Sequence, residues 1–253
     1  MDGFPTISRN TVTRYLKEKG IQSYIAAQKP KLTEAAKRRR EEYSLANLMN
    51  ENTVWRKTVF IDEFSIETRY KRKRRVKREK NQRFSPQNLD VYSLERPESL
   101  SFMACFSFNG IGPIKVINGR SNAECYLDYL ANYVIPYANS EFGANFYLLQ
   151  DNAPIHTARI VRQYLYTVCP NAVHLHPPHS PDLNPIENLG NAVKLRISKY
   201  LKVREPNGLS LESMVRASWA EVGDDINSIH KLVDSMRNRY TECIDAAGNP
   251  TRY

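Results

Sequence analysis

A chain of 253 residues can bury a sizeable core, and 41% apolar with 25% charged residues is the composition of a soluble globular protein rather than a disordered one. No apolar run approaches bilayer length, and "MDGFPTISRN" has neither the basic nor the apolar part of a secretory leader, so neither a membrane partner nor export is expected. The net charge is +10, yet the run "RYKRKRRVKREK", Arg69 to Lys80, holds nine Lys/Arg against one Glu, which leaves a nearly neutral body.

The first element in chain order is a short helix in "TISRNTVTRYLKEKGI". Ser8 caps it, Val12, Tyr15 and Leu16 form its apolar stripe, and Gly20 stops it. Arg9, Asn10, Thr11 and Arg14 crowd its first turns, where a DNA-reading helix makes its contacts. "AAQKPKLT" follows as a linker, and Thr33 caps a charged helix running to about Leu48.

From Trp55 onward β-branched and aromatic runs appear. "TVFIDEF", "SLSFMACFSF" and "IGPIKVI" read as strands, with "NGIG" as the turn between the last two. The basic block lies between the first two strands. Arg72, Lys73, Arg74, Arg75, Lys77 and Arg78 within it are candidate phosphate contacts, since a cationic block on a neutral body suits a polyanion. The same residues also suit a solvated loop or a nuclear import signal, and a nuclear location is expected.

"NAECYLDYLANYVIPYA" carries helical spacing, "ANFYLLQ" is a strand, "IHTARIVRQYLYTV" a helix and "AVHLH" a short strand. A proline-rich loop then leads to a long helix from Asn184. "SLESMVRASWAEVG" and "INSIHKLVDSMRNRYTECI" are two further helices. This order predicts an α/β fold, a mixed sheet flanked by helices. Trp55 and Trp219 read as core anchors. Cys105, Cys125, Cys169 and Cys243 are too scattered for a disulfide framework or zinc cluster.

Asp62 sits within an otherwise apolar strand and Asp151 ends another. Both are costly places for a carboxylate without a partner, and a divalent cation is one reason to put them there. Glu187 has two readings. With Asn184 as N-cap and Pro185 opening the helix, it fits a capping box, or it is a third site acid. Asp182 is a rival carboxylate that reads as a turn former. His156 has two readings, a residue that touches the site or orients DNA, or a helix-start histidine with a local hydrogen bond. His174, His176 and His179, beside prolines at a strand end, read as structural rather than as zinc ligands.

"LLQDNAPIHTAR" followed by "HPPHSPDLNPIENL" strongly resembles the mariner superfamily of DDE transposases, the Tc-like and mariner-like elements. Asp151 then matches the family's second acid and Glu187 its third, with 35 residues between them. Asp62 in "VFIDEF" matches the first. "SRNTVTRYLKEKGI" and "AAQKPKLT" are similar to the end of a second helix-turn-helix unit and its linker. "LVDSMRNRYTECIDAAGNPTRY" is similar to the family's terminal S-M-x-x-R helix and G-x-x-T-x-Y tail. Two departures stand out. Gly190 replaces the usual tryptophan after N-L, and "IDEF" replaces the more common S-D-E-S.

The resemblance implies an RNase-H-like catalytic domain over residues 55–253. It also implies that residues 1–50 are the remnant of a helix-turn-helix unit plus a linker helix. It further implies two Mg²⁺ ions, replaceable by Mn²⁺, held by Asp62, Asp151 and Glu187 for phosphodiester cleavage and strand transfer. The implied partners are double-stranded DNA, with terminal inverted repeats and a TA target, and a second copy of the chain. A domesticated DNA-binding protein without catalysis, or an RNase-H-like nuclease that cuts without joining, are the alternative readings.

Overall fold

The computed structural model describes residues 8–21, 29, 31–67, 99–117, 119, 121–169, 173–203 and 210–253. The basic run at residues 69–80, with its six candidate phosphate contacts, lies outside them.

The expected strands assemble into one mixed sheet. β1 (Thr58–Glu67), β2 (Ser99–Ser107) and β3 (Gly110–Ile117) form an antiparallel meander, while β4 (Tyr147–Gln150) and β5 (Val173–Leu175) run parallel to β1. The order across the sheet is β3-β2-β1-β4-β5, so β1 is central. Because side chains alternate along a strand, β1 has two different faces. Phe60, Phe64 and Ile66 point into one apolar cluster, and Val59 and Ile61 into the other.

The first cluster is closed by α7 (Ile186–Val203), α8 (Leu211–Gly223), α9 (Ile226–Asp234) and α10 (Met236–Asp245). Trp55 from α3 (Asn52–Arg56) and Trp219 from α8 are almost fully buried in it, as core anchors should be. α2 (Glu34–Leu48) lies on α10 through the Tyr43 and Tyr240 rings, whose centroids are 5.8 Å apart. The opposite cluster is covered by α4 (Ala123–Tyr129), α5 (Ile135–Phe142) and α6 (Arg159–Val168). A π-helical turn, Leu130–Val134, joins α4 to α5 just before Pro136. Proline cannot donate the next helical hydrogen bond, which favours such a widened turn.

The two departures from the family pattern meet in space. Gly190 on α7 is so placed that a Cβ there would touch Phe64 of β1 at 3.7 Å. Phe64 packs toward Phe102 and Trp219, at 5.8 and 6.2 Å between ring centroids. An aromatic ring from the strand thus stands beside the helix position where the family pattern has its tryptophan.

The single helix expected over residues 226–244 is broken at Ser235 into α9 and α10. Ser235 donates its hydroxyl to Leu232 O at 2.6 Å and accepts from Arg239 Nε at 2.9 Å, which re-aims the chain without glycine or proline.

The chain divides into two compact units, Met1–Lys31 and Leu32–Tyr253. In the first, α1 (Arg9–Glu18) is capped by the Ser8 hydroxyl and followed by Gly20 at φ 74°. It presents Arg9, Asn10, Thr11 and Arg14 on its first turns and buries none of its residues. Val12 and Tyr15 are exposed. α2 belongs to the larger unit, whereas a boundary at residue 50 groups it with the N-terminal segment. Its Arg40 is fully buried, which ties it to that body.

Candidate active site

Asp62, Asp151 and Glu187 line one cleft of about 350 Å³, together with Asn152, His176 and Asn184. Three elements deliver them. The last pair between the parallel strands β1 and β4 is Phe60 with Leu149, so two residues farther on Asp62 and Asp151 come side by side. Both then project, like Phe60 and Leu149, toward the face that α7 covers. Glu187 comes from the first turn of α7.

The geometry decides between the two readings of Glu187. Asn184 does cap α7, its Oδ1 accepting from Ile186 N at 3.3 Å. A capping box would also need the Asn184 N–H to meet Glu187, but that N–H donates to Pro181 O at 3.1 Å. The Asn184 amide instead donates to Ile61 O at 3.2 Å, which pins α7 to the strand carrying Asp62. The Glu187 carboxylate is left facing the cleft.

Each aspartate has one oxygen held by the protein. Asp62 Oδ1 accepts from Glu63 N at 2.7 Å. Asp151 Oδ1 accepts from Ala153 N at 2.9 Å and from the His156 Nδ1–H at 2.5 Å. Among the described residues neither Oδ2 takes a hydrogen bond. Burial and then the charge of Glu187 raise Asp62 to about 7. Burial also raises Glu187, with Asp151 adding to it. Burial opposes ionisation of Asp151 too, but the bonds from His156 and Ala153 hold it below the usual carboxylate range.

His156 is nearly fully buried, and its local hydrogen bond is to the site acid Asp151 itself. Burial would lower it, but Asp151 and Glu63 raise it to about 9, so it is cationic at neutral pH. His156 N and Thr157 N both bond to Ala153 O, which forms a separate turn before α6 begins at Arg159. The helix therefore starts four residues later than its sequence pattern suggests. His176 behaves oppositely. It is buried, neither ring nitrogen has a hydrogen-bond partner among the described residues, and burial drops it to about 4.

Asp182 is not a turn former acting on its own loop. Arg40 donates to both its oxygens at 2.8 and 2.7 Å, and Thr251 donates its N–H and hydroxyl to Oδ2 at 2.9 and 3.0 Å. Arg239 donates to Asp182 O at 2.7 Å and to Asn188 Oδ1 at 2.8 Å, and Tyr253 lies under its guanidinium. The terminal S-M-x-x-R helix and the T-x-Y tail thus hold the loop that aims Glu187. Sequence reading missed this support, and the only signal for it was the tail resemblance itself.

Residues 57–207 match the sequence profile of the DDE superfamily endonucleases. The chain belongs to that family. It is similar to the Tcb1 transposase of Caenorhabditis briggsae, 28% identical over 250 residues, covering 98% of this chain and 89% of that protein. It is equally similar to the Tc1 transposase of Caenorhabditis elegans, 28% identical over 252 residues with the same coverage. In fold it matches the Mos1 mariner paired-end complex with Mg, with a TM-score of 0.72 and 22% identity, over 97% of this chain and 72% of that one. A paired-end complex with Mn matches at 0.72 and 21% identity, over 96% and 71%. The mixed sheet with helices on both faces is therefore the fold of this family of DDE enzymes.

The two Mos1 complexes are described with Mg and with Mn, and the donor set here can be tested against a divalent cation. Among the described residues, no three His, Cys, Asp or Glu side chains already surround a single point. The fit lies in the chemistry. Three hard oxygen donors share one cleft, two keep an uncommitted oxygen, and burial followed by the charges of Glu187 and Asp151 raises Asp62, as expected where carboxylates crowd one place. The residues fit the ion.

Proposed function

We propose that this chain is the catalytic domain of a DNA transposase, one that cleaves phosphodiester bonds at element ends and joins the freed 3′ ends to target DNA. The observation that carries this is the delivery of Asp62, Asp151 and Glu187 by β1, β4 and α7 into a single cleft. Asp62 Oδ2, Asp151 Oδ2 and the Glu187 carboxylate would hold Mg²⁺ or Mn²⁺. When bound there, the metal supplies activation of the attacking oxygen and stabilisation of the leaving one. The chain's own part is positional. Glu63 N fixes Asp62, the Ala153 N–H and His156 fix Asp151, and the Asn184 amide fixes the helix bearing Glu187 to β1. Each donor is thereby aimed before substrate arrives.

The test is Mg²⁺- or Mn²⁺-dependent nicking of DNA carrying the repeats that flank this gene, wild type beside Asp151→Asn. Loss of nicking by about a thousandfold or more, with the melting midpoint nearly unchanged, is expected. DNA binding without nicking by the wild type would overturn the reading in favour of a DNA-binding protein. Nicking without strand joining would reduce it to a nuclease.

DNA binding is assigned to the basic run. Neutralising Arg72, Lys73, Arg74, Arg75, Lys77 and Arg78 should weaken the affinity and flatten its dependence on salt, the slope falling by roughly 0.9 for each phosphate the protein no longer neutralises. An unchanged slope would assign the run to nuclear import or to solvent.

A further inference from the structure

β1 carries two adjacent acids, and only Asp62 faces the cleft. Glu63 points to the other side of the sheet, where it accepts from the Ser121 hydroxyl at 3.0 Å. His156 stands between Glu63 and Asp151. Its Nδ1 donates to Asp151 Oδ1 at 2.5 Å, and its Nε2 lies 3.7 Å from Glu63 Oε1, an ion-pair contact too long for a hydrogen bond. The ring has little freedom. Tyr126 packs on it with 4.0 Å between centroids, and the Tyr126 hydroxyl donates to Gln150 Oε1 at 2.7 Å. The Gln150 amide in turn donates to His156 O at 3.4 Å. Only 3% of His156 is exposed, so the ring is enclosed between two acids that themselves reach solvent.

A carboxylate at a strand tip can rotate about its side-chain bonds, and a rotated Asp151 presents either oxygen to the cleft. A donor fixed on Oδ1 removes that freedom and commits Oδ2 outward. We infer that His156 and Glu63 are positioning residues: Glu63 anchors the imidazole from behind β1, and the imidazole locks Asp151 so that Oδ2 alone faces the metal site. This rests on the acid-site reading proposed above. It gives the second acid of the D-E pair a task distinct from metal ligation, and it makes the histidine five residues after Asp151 a brace for the ligand.

The direct test uses the full chain and Mn²⁺ alone, with free Mn²⁺ counted by electron paramagnetic resonance, beside Mn²⁺ titrations of nicking. His156→Leu should weaken Mn²⁺ binding by about tenfold to a hundredfold, as loss of an outer hydrogen bond to a ligand does. His156→Asn places an amide N–H near the position of Nδ1 and should recover most of that loss. Glu63→Ala, at a half-buried position, should cost severalfold and serves as the test should His156→Leu not fold. Wild-type affinity in His156→Leu or Glu63→Ala would overturn the inference, as would equal weakening by Leu and Asn, which would show packing alone. If the wild type binds no more Mn²⁺ than Asp151→Asn, the acid-site reading itself falls, and the brace with it. The two failures are therefore distinguishable.

Discussion

Asp151 and Asp182 are two aspartates on two loops of one domain, and the difference between them shows what a site acid looks like. Asp182 has both oxygens saturated by Arg40 and Thr251, and its side chain is 5% exposed. Asp151 has one oxygen held by His156 and Ala153 N, and its side chain is 48% exposed. A carboxylate fully consumed by its own chain is a fastener. One left half-satisfied at a cleft offers its remaining oxygen to something else. Exchanging amide for acid at each position should separate the roles. Asp151→Asn should abolish nicking by about three orders of magnitude or more and leave the fold intact. Asp182→Asn should lower the melting midpoint and leave turnover per folded molecule close to normal. If Asp182→Asn instead removed activity from a fully stable protein, the contrast would be wrong.

The fastener can be broken from its other end. Arg40 is fully buried, and Asp182 is its only acidic partner among the described residues. Removing one member of a buried pair strands the other charge, so Arg40→Met should cost roughly 3–5 kcal/mol of stability, readable by urea or thermal unfolding. The double variant Arg40→Met with Asp182→Leu should recover much of that, because desolvating a matched pair gains little over apolar packing. No recovery would mean that the Gly248 and Asn249 carbonyls, which Arg40 also meets at 2.9 and 3.3 Å, carry the contact.

The same contrast explains how far sequence reading reached. The strands, the caps at Ser8 and Thr33 and the acid at each strand position were legible because each is a local pattern. A period-two run, a capping residue and a carboxylate among β-branched residues all act within a few positions. Arg40 was not legible. It sits in "EAAKRRREEY", where one arginine among several charged neighbours gives no sign that it alone turns inward to meet residues about 140 and 210 positions away. The break at Ser235 and the late start of α6 were hidden for a related reason. At Ser235 a side-chain bond to nearby backbone overrides a continuous helical pattern with neither glycine nor proline to mark it, and before α6 a separate backbone turn just past Pro154 does the same. Glu187 was only half legible, since its sequence fits a cap as well as a site.

The two buried histidines near the cleft sharpen the comparison with a pH measurement. His156 is braced by two acids and rises to about 9; His176, with no hydrogen-bond partner on its ring among the described residues, falls to about 4. Below the ordinary value near 6.5 the unfolded chain takes up a proton at His176 that the native protein refuses until about pH 4. Stability from this group is thus complete above 6.5 and is lost as pH falls toward 4, by about 3 kcal/mol in all. His176→Phe, which keeps the edge-on contact with Tyr43, should remove that slope. Identical pH dependence of unfolding for wild type and variant over pH 4–6.5 would show that His176 titrates normally.

The smallest effect concerns how the tail reaches Asp182. Gly248 ends α10 at φ 73°, with its N–H on Cys243 O at 2.8 Å and its carbonyl accepting from Arg40 Nε at 2.9 Å. A Cβ there would lie 2.0 Å from Lys37 O, a backbone atom of α2 that cannot swing away. Gly248→Ala must therefore part α2 from α10 or strain the turn, and about 2 kcal/mol is expected when the left-handed backbone cost is included. The left-handed backbone alone should cost about 1 kcal/mol, so any excess over that in chemical unfolding reports the close approach. A total of only about 1 kcal/mol would mean that α2 yields freely at Lys37, and then the clasp on Asp182 is held by Arg40 and Thr251 rather than by the packing of the helices that bring them there.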